Sequence, residues 1–324
     1  MFPQKAAAGR VHGVVLDAEI EAFRRLMQAA GLLDPLSVPI DRLRHEARLL
    51  RLGWNTAGPV MASSQELELA GLRCRLHWPV TPSEPAPATI YLHGGGWTLL
   101  DIDTHDDLAR RLASDSGKPV LLVDYPRAPE HRFPIPLLRL HECVAALRSR
   151  ADELTLTTDF ALCGDSAGAN LAVALTLMLR DEGACLPQAL GLIYGSFADN
   201  FETRSHLAYG NGDLPLSTQR MRWFWSNYVP DGARRHDPLA NPLRADLTGL
   251  PPTLMIIAQY DALYDENMAL ADRLATMGND LTVRVYPGTI HAFIEAAGAV
   301  GAAVSKRAIH DLGRFLVRPL GASA

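Results

Sequence analysis

Ser166 sits between two glycines in Gly164-Asp165-Ser166-Ala167-Gly168, a G-x-S-x-G pattern that suits nucleophilic catalysis. The pattern alone is weak: at average Gly and Ser usage it arises by chance in roughly one chain in ten of this length. Its surroundings say more. The apolar run Phe160 to Cys163 leads into it, and a helical stretch, Ala167 to Glu182, leads out. A serine on such a strand-to-helix turn is held in strained backbone with its Oγ clear of the sheet. The helix N-terminus beneath it favours a developing negative charge. A second glycine run, His93-Gly94-Gly95-Gly96-Trp97, follows the apolar stretch Thr89 to Leu92. Glycines there let the backbone come close to a ligand and aim N–H groups at an oxyanion. Neither G-x-x-x-x-G-K-[ST] nor G-x-G-x-x-G occurs, so the run does not read as a phosphate loop. The expected oxyanion donors are the N–H groups of Gly94, Gly95 and Ala167, with the two glycines open by one position. Each donor is worth about 3 kcal/mol of barrier. His93 and Gly96 are read as supporting the loop.

A serine hydroxyl needs a base to take its proton. In sheets with this kind of nucleophile turn, the acid and then the base follow the serine along the chain. Downstream histidines are His206, His236, His291 and His310. His291, in a loop after the strand-like run Leu281 to Tyr286, is the expected base. His310 falls on an amphipathic helix, and His206 and His236 lie in a segment that lacks strand pattern. Asp261 follows the apolar run Thr253 to Tyr260 and would orient the His291 ring. Asp265 and Glu266 are rivals that read better as first-turn residues of the next helix.

These residues need a scaffold of alternating strands and helices. Expected strands are Thr89–Leu92, Val120–Asp124, Phe160–Cys163, Ala189–Tyr194, Thr253–Ala258 and Thr282–Tyr286, after a hairpin turning at Ala70-Gly71. Expected helices are Asp106–Ser116, Pro136–Ala151, Ala167–Glu182, Glu266–Met277 and Ala302–Leu316. Short apolar strands separated by helices imply an α/β fold, with a mostly parallel sheet covered on both faces. Two further helices, one capped by Asp17 and one over Ile40–Leu50, precede it. With the segment 196–248 they are expected to form a helical cap. The division is then 1–60 cap, 61–195 catalytic, 196–248 cap insertion and 249–324 catalytic. Trp223, Phe224, Trp225 and Tyr228 in the insertion read as cap core, with a pocket wall as the alternative. Thr81 to Pro87 reads as a Pro-rich loop. Asp124 to Pro134, also rich in proline, reads as a rigid loop that scaffolds the site. The acidic run Asp101 to Leu108 reads as a helix start capped by Thr104 rather than a metal site.

The bulk numbers describe an ordinary globular chain. It has 324 residues, 48% hydrophobic and 21% charged, with a formal net charge of -5. No basic run points to nucleic acid, and no stretch approaches the roughly 20 apolar residues of a membrane span. Cys74, Cys143, Cys163 and Cys185 form no C-x-x-C pair, and three lie in apolar stretches. Free thiols in a reducing compartment are expected. Residues 1–10 show no signal-peptide pattern, so a cytoplasmic location is expected. A homodimer is left open.

Taken together, HGGGW, DYPRAPE, GDSAGAN, YDALYDE and YPGTIHAF resemble the hormone-sensitive-lipase-like branch of the α/β-hydrolases, and bacterial acetyl esterases in particular. The likeness is strong from about Ala88 to Val317 and weaker over the first sixty residues and the insertion. It implies hydrolysis of short-chain acyl esters, acetyl to about hexanoyl, without cofactor or metal. It carries over the same triad and oxyanion donors, and gives Asp165 a supporting role at the nucleophile turn. The sequence departs from the branch once. The usual D-Y-R-x-x-P-E reads here with Pro126 in place of Arg, which removes the charge that braces that loop in the branch. An amidase or formamidase with the same triad, or a non-catalytic receptor on the same fold, are the competing readings.

Overall fold

The computed structural model describes residues 13–31, 33–55, 58–80 and 85–317. The expectation about residues 1–10 and the first part of the Pro-rich loop lie outside the described residues. Eight strands form one sheet: β1 (Ser63–Leu69), β2 (Leu72–Trp78), β3 (Ala86–Leu92), β4 (Val120–Val123), β5 (Leu156–Asp165), β6 (Leu190–Ile193), β7 (Thr253–Tyr260) and β8 (Leu281–Ile290). Their order is β1-β2-β4-β3-β5-β6-β7-β8. The β1–β2 and β2–β4 pairs are antiparallel, and every later pair is parallel.

The helices are α1 (Ala18–Ala29), α2 (Ile40–Leu52), α3 (Asp106–Ser116), α4 (Ile135–Ser149), α5 (Ala167–Asp181), α6 (Arg204–Tyr209), α7 (Thr218–Tyr228), α8 (Tyr264–Thr276), α9 (Ala296–Ala299) and α10 (Ala303–Leu316). The period-2 alternation of the strands sorts side chains onto two faces. Ile90, Leu121, Leu162 and Met255 pack with α4, α5 and α8 in one core. Tyr91, Leu122, Cys163 and Ile256 pack with α1, α3 and α10 in the other. Burial on both faces explains why the central strands are near-continuous apolar runs. Helix α5, enclosed in the middle, is buried almost all round.

Two of the boundaries that differ from expectation share one physical reason. Ala86 and Pro87, read as loop, belong to β3, where the register with β5 shifts between Ala86 and Ala88. Proline lacks the N–H a ladder needs, and an irregularity is where a strand tolerates it. Strand β8 runs through Pro287-Gly288 to Ile290, with a register shift in its partner β7 between Ala258 and Tyr260. His291 therefore follows the strand directly rather than sitting out in a loop. A Pro-Gly pair reads locally as a turn, but here the irregularity absorbs it.

Candidate active site

Ser166 is the residue between β5 and α5. Its backbone sits at φ 53°, ψ −117°, a region a non-glycine residue occupies at a cost of about 1–3 kcal/mol. The surroundings hold it there. Its N–H donates to the Ile193 carbonyl at 2.8 Å, and its carbonyl accepts from Ala169 at 3.1 Å and Ser196 at 3.3 Å. Gly168 is required by close approach: a Cβ there would lie 2.0 Å from the Leu92 carbonyl oxygen. Helix α5 thus rests on the end of β3, where the His93 run begins.

The ladder between β7 and β8 aligns Tyr260 with Ile290. The residues that directly follow these two strands are Asp261 and His291. His291 Nδ1 lies 2.7 Å from Asp261 Oδ2, and His291 Nε2 lies 3.1 Å from Ser166 Oγ. The other Asp261 oxygen accepts from the Leu263 N–H at 3.0 Å. A carboxylate facing Nδ1 fixes the proton there and leaves Nε2 as the acceptor for the serine. The Tyr194 ring, at the end of β6, packs 4.7 Å from the His291 ring. The sequence carried no signal for Tyr194.

Gly94 is not a free donor. Its N–H donates to Asp165 Oδ1 at 2.9 Å, which corrects the expected Gly94–Gly95 pair. Gly95 and Gly96 are the glycines of the run that line the cavity beside Ser166. Ala167 opens α5, where N–H groups have no intrahelical partner. His93 braces the loop as expected. Its Nδ1 lies 2.7 Å from the Gly94 carbonyl, and its ring stacks on Tyr125 with centroids 4.2 Å apart. Burial, aided by the nearby His105, lowers its pKa to about 3, so His93 is a neutral donor.

Asp165 is the hub behind this loop. Besides Gly94 it accepts from the Tyr91 hydroxyl at 2.8 Å and faces His105 Nε2 at 3.4 Å. Burial works against a charge on either group. The carboxylates of Asp165 and Glu295 outweigh burial and hold His105 above its ordinary value. His105 in turn holds Asp165 below its own. Ligand atoms of His105, Asp165 and Glu295 lie within 4.8 Å of one another, close enough for a metal. Charge balance is met without one, because Glu295 also pairs with Arg51 at 3.1 Å. Tyr91, His105 and Glu295 escaped the sequence reading. The only hint was the acidic run around His105, whose cap is Asp101 rather than Thr104; Thr104 completes a capping box with it.

A cavity of about 550 Å³ opens above Ser166. Gly95, Gly96 and His291 form its floor, while Leu33, Leu43 and Ala47 from the N-terminal region and Leu216 and Phe224 from the insertion form its walls. The aromatic group divides. Trp225 and Tyr228 pack on Trp97, the latter stacked at 4.5 Å, whereas Phe224 faces the cavity. Of the other histidines, His206 bonds Thr218 at 3.0 Å and joins α6 to α7, and His236 and His310 are exposed. Asp265 accepts from the Ser205 N–H at 2.9 Å and Glu266 from the Phe197 N–H at 2.7 Å, so each is spent on structure.

The sequence pattern of the α/β-hydrolase fold matches residues 89–295. This chain belongs to the α/β-hydrolase family. Its resemblance to the hormone-sensitive-lipase-like branch holds. Over 303 residues it is 31% identical to the carboxylic ester hydrolase LipN of Mycobacterium tuberculosis, spanning 89% of this chain and 80% of that one. The ester-hydrolase EH1AB1 from the metagenome of Lake Arreo superposes with a TM-score of 0.86 at 32% identity, over 93% of this chain and 98% of that one. A hyperthermophilic esterase from the archaeon Pyrobaculum calidifontis superposes with a TM-score of 0.86 at 30% identity, over 94% and 98%.

Against the α/β-hydrolase pattern, the departure at Pro126 has a local answer. Arg127, one residue on, donates to the Leu100 carbonyl. Arg44 of α2 adds bonds to the carbonyls of Thr98 at 2.9 Å and Ala128 at 2.8 Å and pairs with Glu130. The charges that hold this loop here are those of Arg127 and Arg44. Among the described residues no helix is long and apolar enough to cross a membrane, and all four cysteines are free.

Proposed function

We propose that the protein hydrolyses carboxylic esters of short acyl chains, acetyl to about hexanoyl, through a Ser166–His291–Asp261 triad. The observation that carries this reading is the hydrogen-bond path from Asp261 through His291 to Ser166 Oγ, 2.7 Å and then 3.1 Å. His291 takes the Ser166 proton as Oγ attacks the ester carbonyl, and the oxyanion rests on the N–H groups of Gly95, Gly96 and Ala167. His291 then protonates the departing alcohol. A water, activated by the same base, releases the acid from the acyl-enzyme. Asp261 holds the imidazole in its tautomer and stabilises the imidazolium. The ester-hydrolase names of the relatives support an ester rather than an amide substrate. The N-terminal helices and the 196–248 segment act together as the cap that bounds the substrate, a role supported by their shared lining of one cavity.

The test is hydrolysis of p-nitrophenyl esters from acetate to palmitate by wild type, Ser166→Ala and His291→Ala. Wild type is expected to peak at short chains. Each variant is expected to lose at least about a thousandfold in kcat, and the double variant little more, because the triad acts as a unit. A variant keeping more than about a tenth of the wild-type rate would overturn the assignment.

A further inference from the structure

Three arginines and two glutamates line the cavity besides Asp165, Ser166 and His291, and their situations differ. Arg51 is paired with Glu295 at 3.1 Å. Arg42 and Glu46, four residues apart on α2, are exposed. Arg220, on α7, stands apart. Its Nη2 donates to the Leu33 carbonyl at 2.6 Å, and among the described residues it makes no ion pair. Burial, reinforced by the Arg51 cation and only partly offset by Asp34, pushes its pKa below the usual value. A guanidinium stays charged at neutral pH all the same. Arg220 is half-buried against the cavity, and a partly desolvated cation without an ion-pair partner favours an anion brought in by its ligand.

The place of Arg220 on α7 sets the distance. Phe224 lies against Gly96, where an added Cβ would meet its ring at 2.2 Å. Arg220 is four residues earlier, on the same face and about 6 Å along the axis. At about 1.2 Å per chain bond, that span corresponds to about five bonds of an extended ligand. We propose that Arg220 receives a carboxylate borne by the substrate a few bonds from the scissile ester, which makes short anionic esters the preferred substrate class. The proposal rests on the ester-hydrolase reading. Two placements of the carboxylate share this chemistry: on the acyl part, as in a monoester of a short dicarboxylic acid, or on the alcohol part, as in the acetate ester of a hydroxy acid. In both, the ester bond is cleaved by water and the carboxylate is unchanged.

The experiment compares kcat/KM at pH 7.5 by pH-stat in two arms. One arm sets monomethyl glutarate against methyl pentanoate. The other sets 4-acetoxybutanoate against pentyl acetate. Wild type is expected to favour the anionic ester at least tenfold in one arm, and the arm identifies which part carries the charge. Added salt at 0.5 M is expected to shrink that preference, roughly as screening dictates. Arg220→Met is expected to lower the ratio at least tenfold, and Arg220→Lys to keep part of it. A wild-type ratio below one in both arms overturns the proposal without any variant, so a misfolded Arg220→Met leaves it decidable. An unchanged ratio in a folded Arg220→Met overturns it equally. Failure of wild type to cleave the neutral and the anionic esters alike would instead sink the ester-hydrolase reading.

Discussion

An alanine at position 95 would put its Cβ 2.2 Å from the Leu99 carbonyl oxygen, on a backbone with φ +110°. At position 96 the clash is with the Phe224 ring, also at 2.2 Å, and φ is +60°. The obstacles differ in kind. A backbone carbonyl in a tight turn cannot yield, whereas a side-chain ring can be cut back. Gly95→Ala is therefore expected to lose about a hundredfold or more in kcat, as for loss of an oxyanion donor. Gly96→Ala is expected to fall comparably, and Gly96→Ala with Phe224→Ala to recover part of the rate. Phe224→Ala added to Gly95→Ala should recover nothing. Steady-state kinetics on p-nitrophenyl butyrate decide this, and equal rescue in both backgrounds would contradict the geometry.

Helix α2 lies outside the matched stretch 89–295, yet it holds the loops behind the glycine run. Arg44 bonds Thr98, Ala128 and Glu130, and Arg48 pairs with Asp101 at 2.7 Å and Asp103 at 2.6 Å. Burial and hydrogen bonding are better satisfied with α2 docked, so its amphipathic face accounts for only part of its placement. Removing Arg44 leaves two carbonyls without that donor and Glu130 without its cation. For Arg44→Met the expected result is a loss of about 1–3 kcal/mol of unfolding free energy and a several-fold fall in kcat/KM. Denaturant unfolding with parallel kinetics checks it. A destabilised variant with an unchanged rate would show that the helix does not position the loop.

Across the whole molecule, Arg51 of α2, Glu295 beyond β8, His105 ahead of α3 and Asp165 at the end of β5 form one run of alternating charge, half-buried at Arg51 and Glu295 and buried at His105 and Asp165. His105 is held above its ordinary pKa of 6.5, so its stabilising charge is fully present below that value. The contribution is lost as pH rises through the raised pKa. Asp165, held below 3.8, contributes above that value and loses its share as pH falls through the lowered one. Thermal stability of wild type is therefore expected to fall as pH rises above 6.5. His105→Gln should unfold at a lower temperature overall and show a flatter alkaline slope. Equal slopes in the two proteins would rule out His105 as the source.

Much of what depended on short stretches was legible in the sequence, though the Asp101 cap and the strand through Pro287-Gly288 were not. The strand-turn-helix around Ser166, the glycine run after β3, and the ends of β7 and β8 are local patterns, because apolar periodicity and glycine requirements act over a few residues. They were enough to name Ser166, Asp261 and His291 and the α/β class. Tertiary structure decided the rest. Gly94 lost its donor role to Asp165, a residue 71 positions away. The charged contacts that Pro126 put in doubt are supplied by Arg127 and by Arg44, 86 positions from Glu130. Tyr91, Glu295 and Arg220 have no local mark, since the role of each is defined by what surrounds it. Those surroundings come from strands and helices far apart in the chain, and only folding brings them within hydrogen-bond reach.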